Sequence, residues 1–197
     1  MSQGFTSEVL GPALVIRFDR LEIRNPLSVR VLDALAVVIA DHDALRVLHG
    51  IIFTGSADVF ASGADLREIA KVTPDGAKEF AERGQALMHS IASFRLRTIA
   101  AINGYCFGGG LDLALACDRR IASPNATFAH PGTSLGIITG WGGTQRLPRL
   151  VGQANALEMF FTAEQVNAGE ALRIGLVDIV ADNVLEAALS MVSSSDS

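Results

Sequence analysis

The sequence has little cysteine and no long hydrophobic run, and both absences narrow the class of protein. The two cysteines among 197 residues, Cys106 and Cys117, lie in apolar stretches and indicate reduced core thiols rather than a disulfide, a metal pair or a nucleophile. No uninterrupted apolar run approaches the roughly 20 residues of a membrane-spanning helix. The first residues lack the basic patch and apolar run of a secretory signal. We therefore expect a cytoplasmic protein that does not bind membranes.

Positive charge is also scarce. Lysine and arginine number 16 against 21 acidic residues, which gives a net charge of −5. No basic cluster is interleaved with aromatic residues, and this argues against nucleic acid as a partner. No metal site is expected either, because the histidines share no ligand spacing. The four histidines are His42, His49, His89 and His130.

The fingerprints of nucleotide-binding loops are missing as well. A dinucleotide loop has the pattern G-x-G-x-x-G, but Leu113 stands three positions after Gly110, so the pattern fails. The second glycine cluster, at 140–144, fails the same test, and no Gly-Lys-Ser/Thr occurs. The glycines of this chain therefore need another explanation.

What is present indicates one globular domain. Apolar residues make up 49% of the chain and charged residues 19%, and strand patterns alternate with helix patterns, which predicts an α/β layered fold. The predicted strands are 13–18, 47–54, 98–102, 118–123, 126–129 and 176–180. The predicted helices are 29–43, 66–70, 74–93, 145–161 with an interruption at Pro148, 165–173 and 184–192. We expect one domain over 1–192 and a disordered tail over 193–197.

The segment 100–118 organises the rest of the chain. A buried strand leads into three consecutive glycines, Gly108, Gly109 and Gly110, and then into an apolar helix. Glycine lets the backbone approach a ligand closely, and a helix N-terminus presents unpaired N–H groups to an oxygen that becomes anionic. Asp112 brings a carboxylate beside those donors. The plainer alternatives are a tight strand-to-helix junction and a first-turn acid favoured by the helix dipole.

Five stretches together resemble the enoyl-CoA hydratase/isomerase (crotonase) superfamily. They occur in the family's order and cover nearly the whole chain. They are FDRLEIRNPLS (18–28), FASGADLREI (60–69), INGYCFGGGLDLALACDRRIAS (102–123), FAHPGTSLGIITGWGGTQRLPRLVG (128–152) and FFTAEQVNAGEALRIGLVDIV (160–180). The resemblance implies a crotonase-type spiral of ββα units that binds an acyl-CoA thioester, with coenzyme A as part of the substrate and no separate cofactor.

The resemblance also implies roles for particular residues. The N–H groups of Ala64 and Gly109 would hold the thioester oxygen as an enolate forms, and Asp112 would carry the proton. Arg24 is the candidate for contact with the nucleotide of coenzyme A, although Arg24 and Arg67, each taken alone, are as readily explained as solvated surface charges. The full set of predicted substrate-binding residues is Ile23, Arg24, Pro26, Ser62, Ala64, Asp65, Leu66, Arg67, Gly108, Gly109, Pro131 and Gly132.

The chain departs from the family pattern at the second catalytic carboxylate. The hydratases carry two glutamates, and Asp112 takes the place of the first. Gly132 replaces the second, His130 replaces the neighbouring glutamine, and Gly140 stands where isomerases and dehalogenases carry an aspartate. We expect inefficient hydration, since general acid–base help is worth about 10²–10⁴-fold. Two hypotheses stay open: an enolate-forming enzyme, and a catalytically weak acyl-CoA-binding or assembly protein.

His130 has two interpretations of its own. It is a candidate replacement base because the unperturbed pKa of histidine is near 6.5. The interpretation we favour from the sequence is a half-buried side chain bonded to backbone. Family members also continue past the block that ends at Val180 into helices that build a trimer, and here these are expected to be missing or shortened. The resemblance implies a homo-oligomer, a trimer or hexamer.

Overall fold

The computed structural model describes residues 3–43 and 48–194. The strands are β1 (Phe5–Leu10), β2 (Ala13–Phe18), β3 (Pro26–Leu27), β4 (Gly50–Thr54), β5 (Val59–Ala61), β6 (Gly63–Ala64), β7 (Arg97–Ile102), β8 (Tyr105–Phe107), β9 (Arg119–Ala122), β10 (Thr127–Ala129), β11 (Val166–Asn167) and β12 (Ile179–Val180). The helices are α1 (Val29–Asp43), α2 (Leu66–Ile69), α3 (Pro74–Ala92), α4 (Gly109–Ala116), α5 (Gly143–Val151), α6 (Gln153–Thr162), α7 (Ala168–Arg173) and α8 (Val184–Ser193), with 3₁₀ turns at Leu21–Ile23 and Pro131–Leu135.

Two sheets contain most of the strands, and a third consists only of β3 and β6. The larger sheet has the order β1-β2-β4-β7-β9-β12 and the smaller one β11-β10-β8-β5. The strands β4, β7 and β9 pair in parallel in the larger sheet, while β5, β8 and β10 pair in parallel in the smaller one. Along the chain, each pair of successive strands therefore adds one strand to the larger sheet and one to the smaller sheet. A helical segment follows each pair. This repetition confirms the α/β spiral of ββα units.

Both faces of the larger sheet are covered. Along β2, Leu14 and Ile16 face one hydrophobic cluster, and Ala13 and Val15 face another. Helix α8 covers the second face, with Val184, Ala188 and Val192 among its buried residues. Successive side chains of a strand point to opposite faces, so a strand covered on both sides is a continuous apolar run. The continuous apolar run at 13–16 has this pattern for that reason.

The major predicted elements are confirmed, although four of the six predicted strands are shorter than the sequence suggested. Thr73 caps α3 by accepting a hydrogen bond from the backbone N–H of Gly76, as the Thr-Pro-Asp start predicts. The predicted interruption at Pro148 is wrong, because Pro148 lies inside α5. The break comes at Gly152, whose φ of 82° lies in the region that favours glycine. Strand β1 was not predicted, since four of its six residues are exposed and give little apolar signal.

Three further predictions concern the ends of elements and the cysteines. Helix α8 includes Ser193, one residue into the predicted tail, and the tail positions 195–197 lie outside the described residues, as does Val47 at the start of a predicted strand. Cys106 and Cys117 are both buried and free, and burial raises the pKa of each thiol. Within residues 3–43 and 48–194, no helix is both long and apolar enough to cross a membrane.

Candidate active site

Two glycine-containing loops from distant parts of the chain meet at the start of α4. Gly63, with φ of +99°, lies in the two-residue strand β6 before α2, and Gly108, with φ of +50°, precedes α4. A Cβ built on Gly63 would lie 2.8 Å from the backbone nitrogen of Gly109, and one built on Gly109 would lie 3.2 Å from the backbone nitrogen of Ala64. The N–H groups of Ala64 and Gly109 therefore lie on facing loops that only glycine allows to approach so closely. Such a pair of donors can stabilise negative charge on an oxygen.

A cavity of about 350 Å³ opens beside these two loops. Its walls are mainly apolar and come from α2, α3, the start of α4 and the segment after β10. The residues that line it are Ser62, Gly63, Ala64, Leu66, Ile69, Val72, Ala77, Phe80, Ala81, Gly108, Gly109, Asp112, His130, Pro131, Gly132, Leu135, Ile137, Ile138, Thr139, Gly140 and Trp141. The structure therefore brings eight of the predicted site residues to one cavity: Ser62, Ala64, Leu66, Gly108, Gly109, Asp112, Pro131 and Gly132.

Asp112 is the buried carboxylate of this cavity. It is 0% exposed, and the hydroxyl of Thr139 donates a hydrogen bond to its Oδ2. Burial raises the pKa of Asp112 to about 7, although the Thr139 hydrogen bond, the backbone of Trp141 and Gly143, and the charge of Arg146 act in the opposite direction. A carboxyl group with a pKa near neutrality can both accept and release a proton at physiological pH.

His130 also lies in the cavity and is more deeply buried than expected from the sequence. The side chain is 3% exposed rather than half-buried, and it directly follows β10. Its ring packs against Phe160 with a centroid distance of 5.0 Å, and its Nε2 lies 3.7 Å from Oδ1 of Asp112. Burial lowers the pKa of His130 to about 4, so the imidazole is neutral at pH 7.

Gly132 and Gly140, the two positions at which the resemblance led us to expect carboxylates, differ in their surroundings. A Cβ built on Gly132 would lie 2.6 Å from the carbonyl oxygen of Ile137, so the backbone of the following turn occupies the space of a side chain. A Cβ built on Gly140 would meet only Cβ of Ala81, at 3.8 Å. Among the described residues that line the cavity, Asp112 is the single acid.

The remaining predicted site residues lie beside the cavity and do not line it. Strands β3 and β6 pair in parallel, which brings Pro26 opposite Gly63, and the N–H of Ser62 donates to the carbonyl of Arg24 at 3.1 Å. Ile23 ends the 3₁₀ turn just before. The loop that carries Ile23, Arg24 and Pro26 therefore packs on the loop that carries Ala64.

Asp65 and Arg67 form an ion pair at the start of α2. Asp65 is buried and accepts hydrogen bonds from the backbone and guanidinium of Arg67, with an Nη2–Oδ2 distance of 2.6 Å. This pairing lowers the pKa of Asp65. The side chain of Arg67 is 65% exposed. Asp65 therefore fixes the start of α2, while Arg67 presents charge at the surface.

The sequence reasoning missed Thr139 and Trp141. Nothing in the glycine-rich segment 130–143 distinguishes Thr139, and its contact with Asp112 spans 27 positions. Trp141 is 3% exposed and forms a wall of the cavity. Cβ atoms built on Gly84 and Gly109 would both overlap its indole. The one available signal was the small residue at position 84 on the buried face of α3.

A family model and related sequences all indicate the same family for this chain. Residues 11–194 match the family model described as "Enoyl-CoA hydratase/isomerase". The chain is 42% identical over 171 residues to a crotonyl-CoA hydratase of Syntrophomonas wolfei, which covers 84% of this chain and 64% of that protein. It is 43% identical over 171 residues to a probable enoyl-CoA hydratase of Bacillus subtilis, which covers 84% of this chain and 66% of that protein. The chain thus spans just under two thirds of the length of these curated relatives.

Solved structures with related sequences have the same fold as this chain. The structure of Pseudomonas aeruginosa DspI superposes with a TM-score of 0.93 at 36% identity, over 98% of this chain and 80% of that one. An enoyl-CoA hydratase from Bacillus anthracis superposes with a TM-score of 0.91 at 32% identity, over 96% of this chain and 75% of that one.

Proposed function

This chain belongs to the enoyl-CoA hydratase/isomerase family, and we propose that it acts on acyl-CoA thioesters by stabilising a thioester enolate. In this proposal the N–H groups of Ala64 and Gly109 hold the thioester oxygen and Asp112 moves the proton. The reaction is hydration of a 2-enoyl thioester or a shift of its double bond. The acyl group enters the apolar cavity, and coenzyme A is part of the substrate rather than a separate cofactor.

The position of the two N–H donors supports the proposal that they form an oxyanion hole. Enolate formation places negative charge on the thioester oxygen, and fixed N–H groups in a largely apolar cavity stabilise that charge strongly. Loss of one such donor costs about 3 kcal/mol of barrier. Helix α4 adds to the effect, because Gly109 is its first residue and its N-terminal dipole favours negative charge nearby.

The buried carboxylate carries the proposal. Asp112 faces the same cavity as both donors, and its pKa of about 7 suits a group that must accept and release a proton in each cycle. Its Oδ1 has no hydrogen-bond partner in the part of the chain that the structure describes, and the nearby His130, with its pKa lowered to about 4, is neutral at pH 7. A buried acid with a raised pKa in a cavity is a functional candidate on physical grounds.

Contacts with the coenzyme A portion are assigned to the loops at the rim. The segment with Ile23, Arg24 and Pro26 packs against the loop before α2, and Arg67 offers an exposed cation. Ser62, Asp65 and Leu66 connect this rim to the cavity. Arginine suits the phosphates of coenzyme A, so we assign Arg24 and Arg67 to that part of the substrate.

The proposal also includes self-assembly into a trimer or hexamer. Leu157 and Phe161 on α6 are 43% and 74% exposed, and large apolar side chains in such positions suit contact with another copy. The molar mass in solution, measured by light scattering on a sizing column, tests this part. A monomeric mass at micromolar concentration would contradict it.

The principal test compares wild type with Asp112→Asn in two assays. One is hydration of crotonyl-CoA, and the other is exchange of the C2 protons of butyryl-CoA with D₂O, which needs only enolate formation. We expect Asp112→Asn to lower both activities by about 10²–10⁴-fold while binding of butyryl-CoA persists. Turnover that is unchanged in a correctly folded Asp112→Asn protein would eliminate Asp112 as the proton carrier.

The alternative is a catalytically weak acyl-CoA-binding protein. The observation that favours it is the lack of a carboxylate at Gly132 and Gly140, together with the backbone of Ile137 that crowds position 132. This alternative predicts tight binding of butyryl-CoA with neither hydration nor C2 exchange. Measurable C2 exchange by wild type that depends on Asp112 would exclude it.

A further inference from the structure

Two buried polar atoms face each other inside the cavity. Oδ1 of Asp112 and Nε2 of His130 are 3.7 Å apart, which exceeds the range of a direct hydrogen bond. Neither atom has a hydrogen-bond partner among the described residues. An unsatisfied buried polar atom costs about 1–3 kcal/mol, so two of them in one place indicate a site that serves a polar reactant.

We propose that Asp112 and His130 together hold the water molecule that adds to C3 of an enoyl thioester, so that His130 supplies the second water contact that Gly132 does not. This inference rests on the proposed enolate function and chooses hydration within it. A single water can bridge two polar atoms at this separation, with an ordinary hydrogen bond to each.

The surroundings hold this pair in place. Thr139 occupies the other oxygen of Asp112, so Oδ1 remains the oxygen that can accept from the water. Phe160 packs against the ring of His130 and restricts its rotation. Gly143 closes the back of the site, where a built Cβ would overlap Oδ1 of Asp112 and lie 3.1 Å from Cε1 of His130. Both residues line the cavity, so the cavity is the side on which the pair would meet a substrate.

The two side chains take different parts in the reaction. The low pKa of His130 makes it a poor base, but a neutral imidazole orients a water molecule well. The carboxylate of Asp112 accepts one water proton as the water oxygen bonds to C3. The π electron pair of the C2–C3 double bond then moves towards the thioester oxygen, which Ala64 and Gly109 hold.

The carboxyl group of Asp112 also completes the catalytic cycle. Asp112 returns its proton to C2 as the enolate collapses, which regenerates the carboxylate and leaves a 3-hydroxyacyl thioester. One water molecule is consumed, and no other reactant is required. The competing interpretation is that His130 only packs the cavity wall and that Asp112 shifts protons without water.

The test separates water addition from proton transfer. We would compare His130→Phe, which keeps a ring against Phe160 but has no polar atom, with His130→Gln, which keeps a polar terminus. Each protein is assayed for hydration of crotonyl-CoA and for C2 proton exchange of butyryl-CoA in D₂O. We expect His130→Phe to lose about 100-fold in hydration, as misplacement of a reactant does, with C2 exchange nearly unchanged, and His130→Gln to recover most of the hydration.

Each other outcome has a distinct meaning. Equal loss of hydration and exchange in His130→Phe, or no loss of either, would overturn the inference and leave the proposed function intact. Wild-type exchange without wild-type hydration would do the same. If wild type shows neither activity, the proposed function itself fails. Should His130→Phe not fold by circular dichroism, His130→Leu, which is smaller and equally apolar, takes its place.

Discussion

Replacing Asp112 by asparagine should make the protein more stable at alkaline pH. The wild-type carboxyl group is 0% exposed and burial raises its pKa from 3.8 to about 7. Asparagine has nearly the same shape and is neutral at every pH. The variant therefore keeps the packing but avoids the cost of an ionised, desolvated group.

The sign and size of this change in stability follow from proton linkage. The folded wild type keeps its Asp112 proton to a higher pH than the unfolded chain, so the contribution of this group to stability falls as the pH rises from 3.8 to about 7. At about 1.4 kcal/mol for each factor of ten, this interval corresponds to about 4 kcal/mol. The stability gained by Asp112→Asn should thus be about 4 kcal/mol larger at pH 8 than at pH 4.

Urea unfolding of both proteins between pH 4 and pH 8 measures this difference. His130 has a lowered pKa of about 4 and loses stability as the pH falls below its unfolded value, but it is present in both proteins. Glu8→Gln on the exposed strand β1 is the matched control, since it removes the same charge from the surface. A difference between wild type and Asp112→Asn that does not change with pH would refute the reasoning.

Three further predictions follow from other contacts. Thr139→Val removes a hydrogen bond that lowers the pKa of Asp112, so the acidic limb of the pH–kcat profile should move to higher pH without a change in fold. Gly84→Ala should destabilise the protein by about 1–3 kcal/mol, because the new Cβ overlaps the indole of Trp141. In a Trp141→Leu background most of that cost should vanish. A double-mutant cycle of unfolding free energies measures this coupling between positions 84 and 141. Arg120→Met should cost about 3 kcal/mol in urea unfolding, because the buried guanidinium donates to three backbone carbonyls and pairs with a carboxylate.

Much of the fold could be predicted from local pattern. The Thr-Pro-Asp start of α3 specifies its own cap, and the apolar run at 13–16 specifies a strand covered on both faces. Very short strands were harder to predict, because two or three residues do not make a period. Strand β6 has two residues, and only its pairing with β3 makes it a strand.

The candidate site, like the fold, could be predicted only in part from local sequence pattern. The sequence by itself determined the glycines at 108–110, the carboxylate at Asp112 and the family, because each depends on residue type at close spacing. The tertiary structure alone decided what surrounds that carboxylate. Thr139 and His130 reach Asp112 from a segment that follows β10, and burial at that contact sets both pKa values. Desolvation and hydrogen bonding depend on which distant atoms pack together, and no local pattern encodes that.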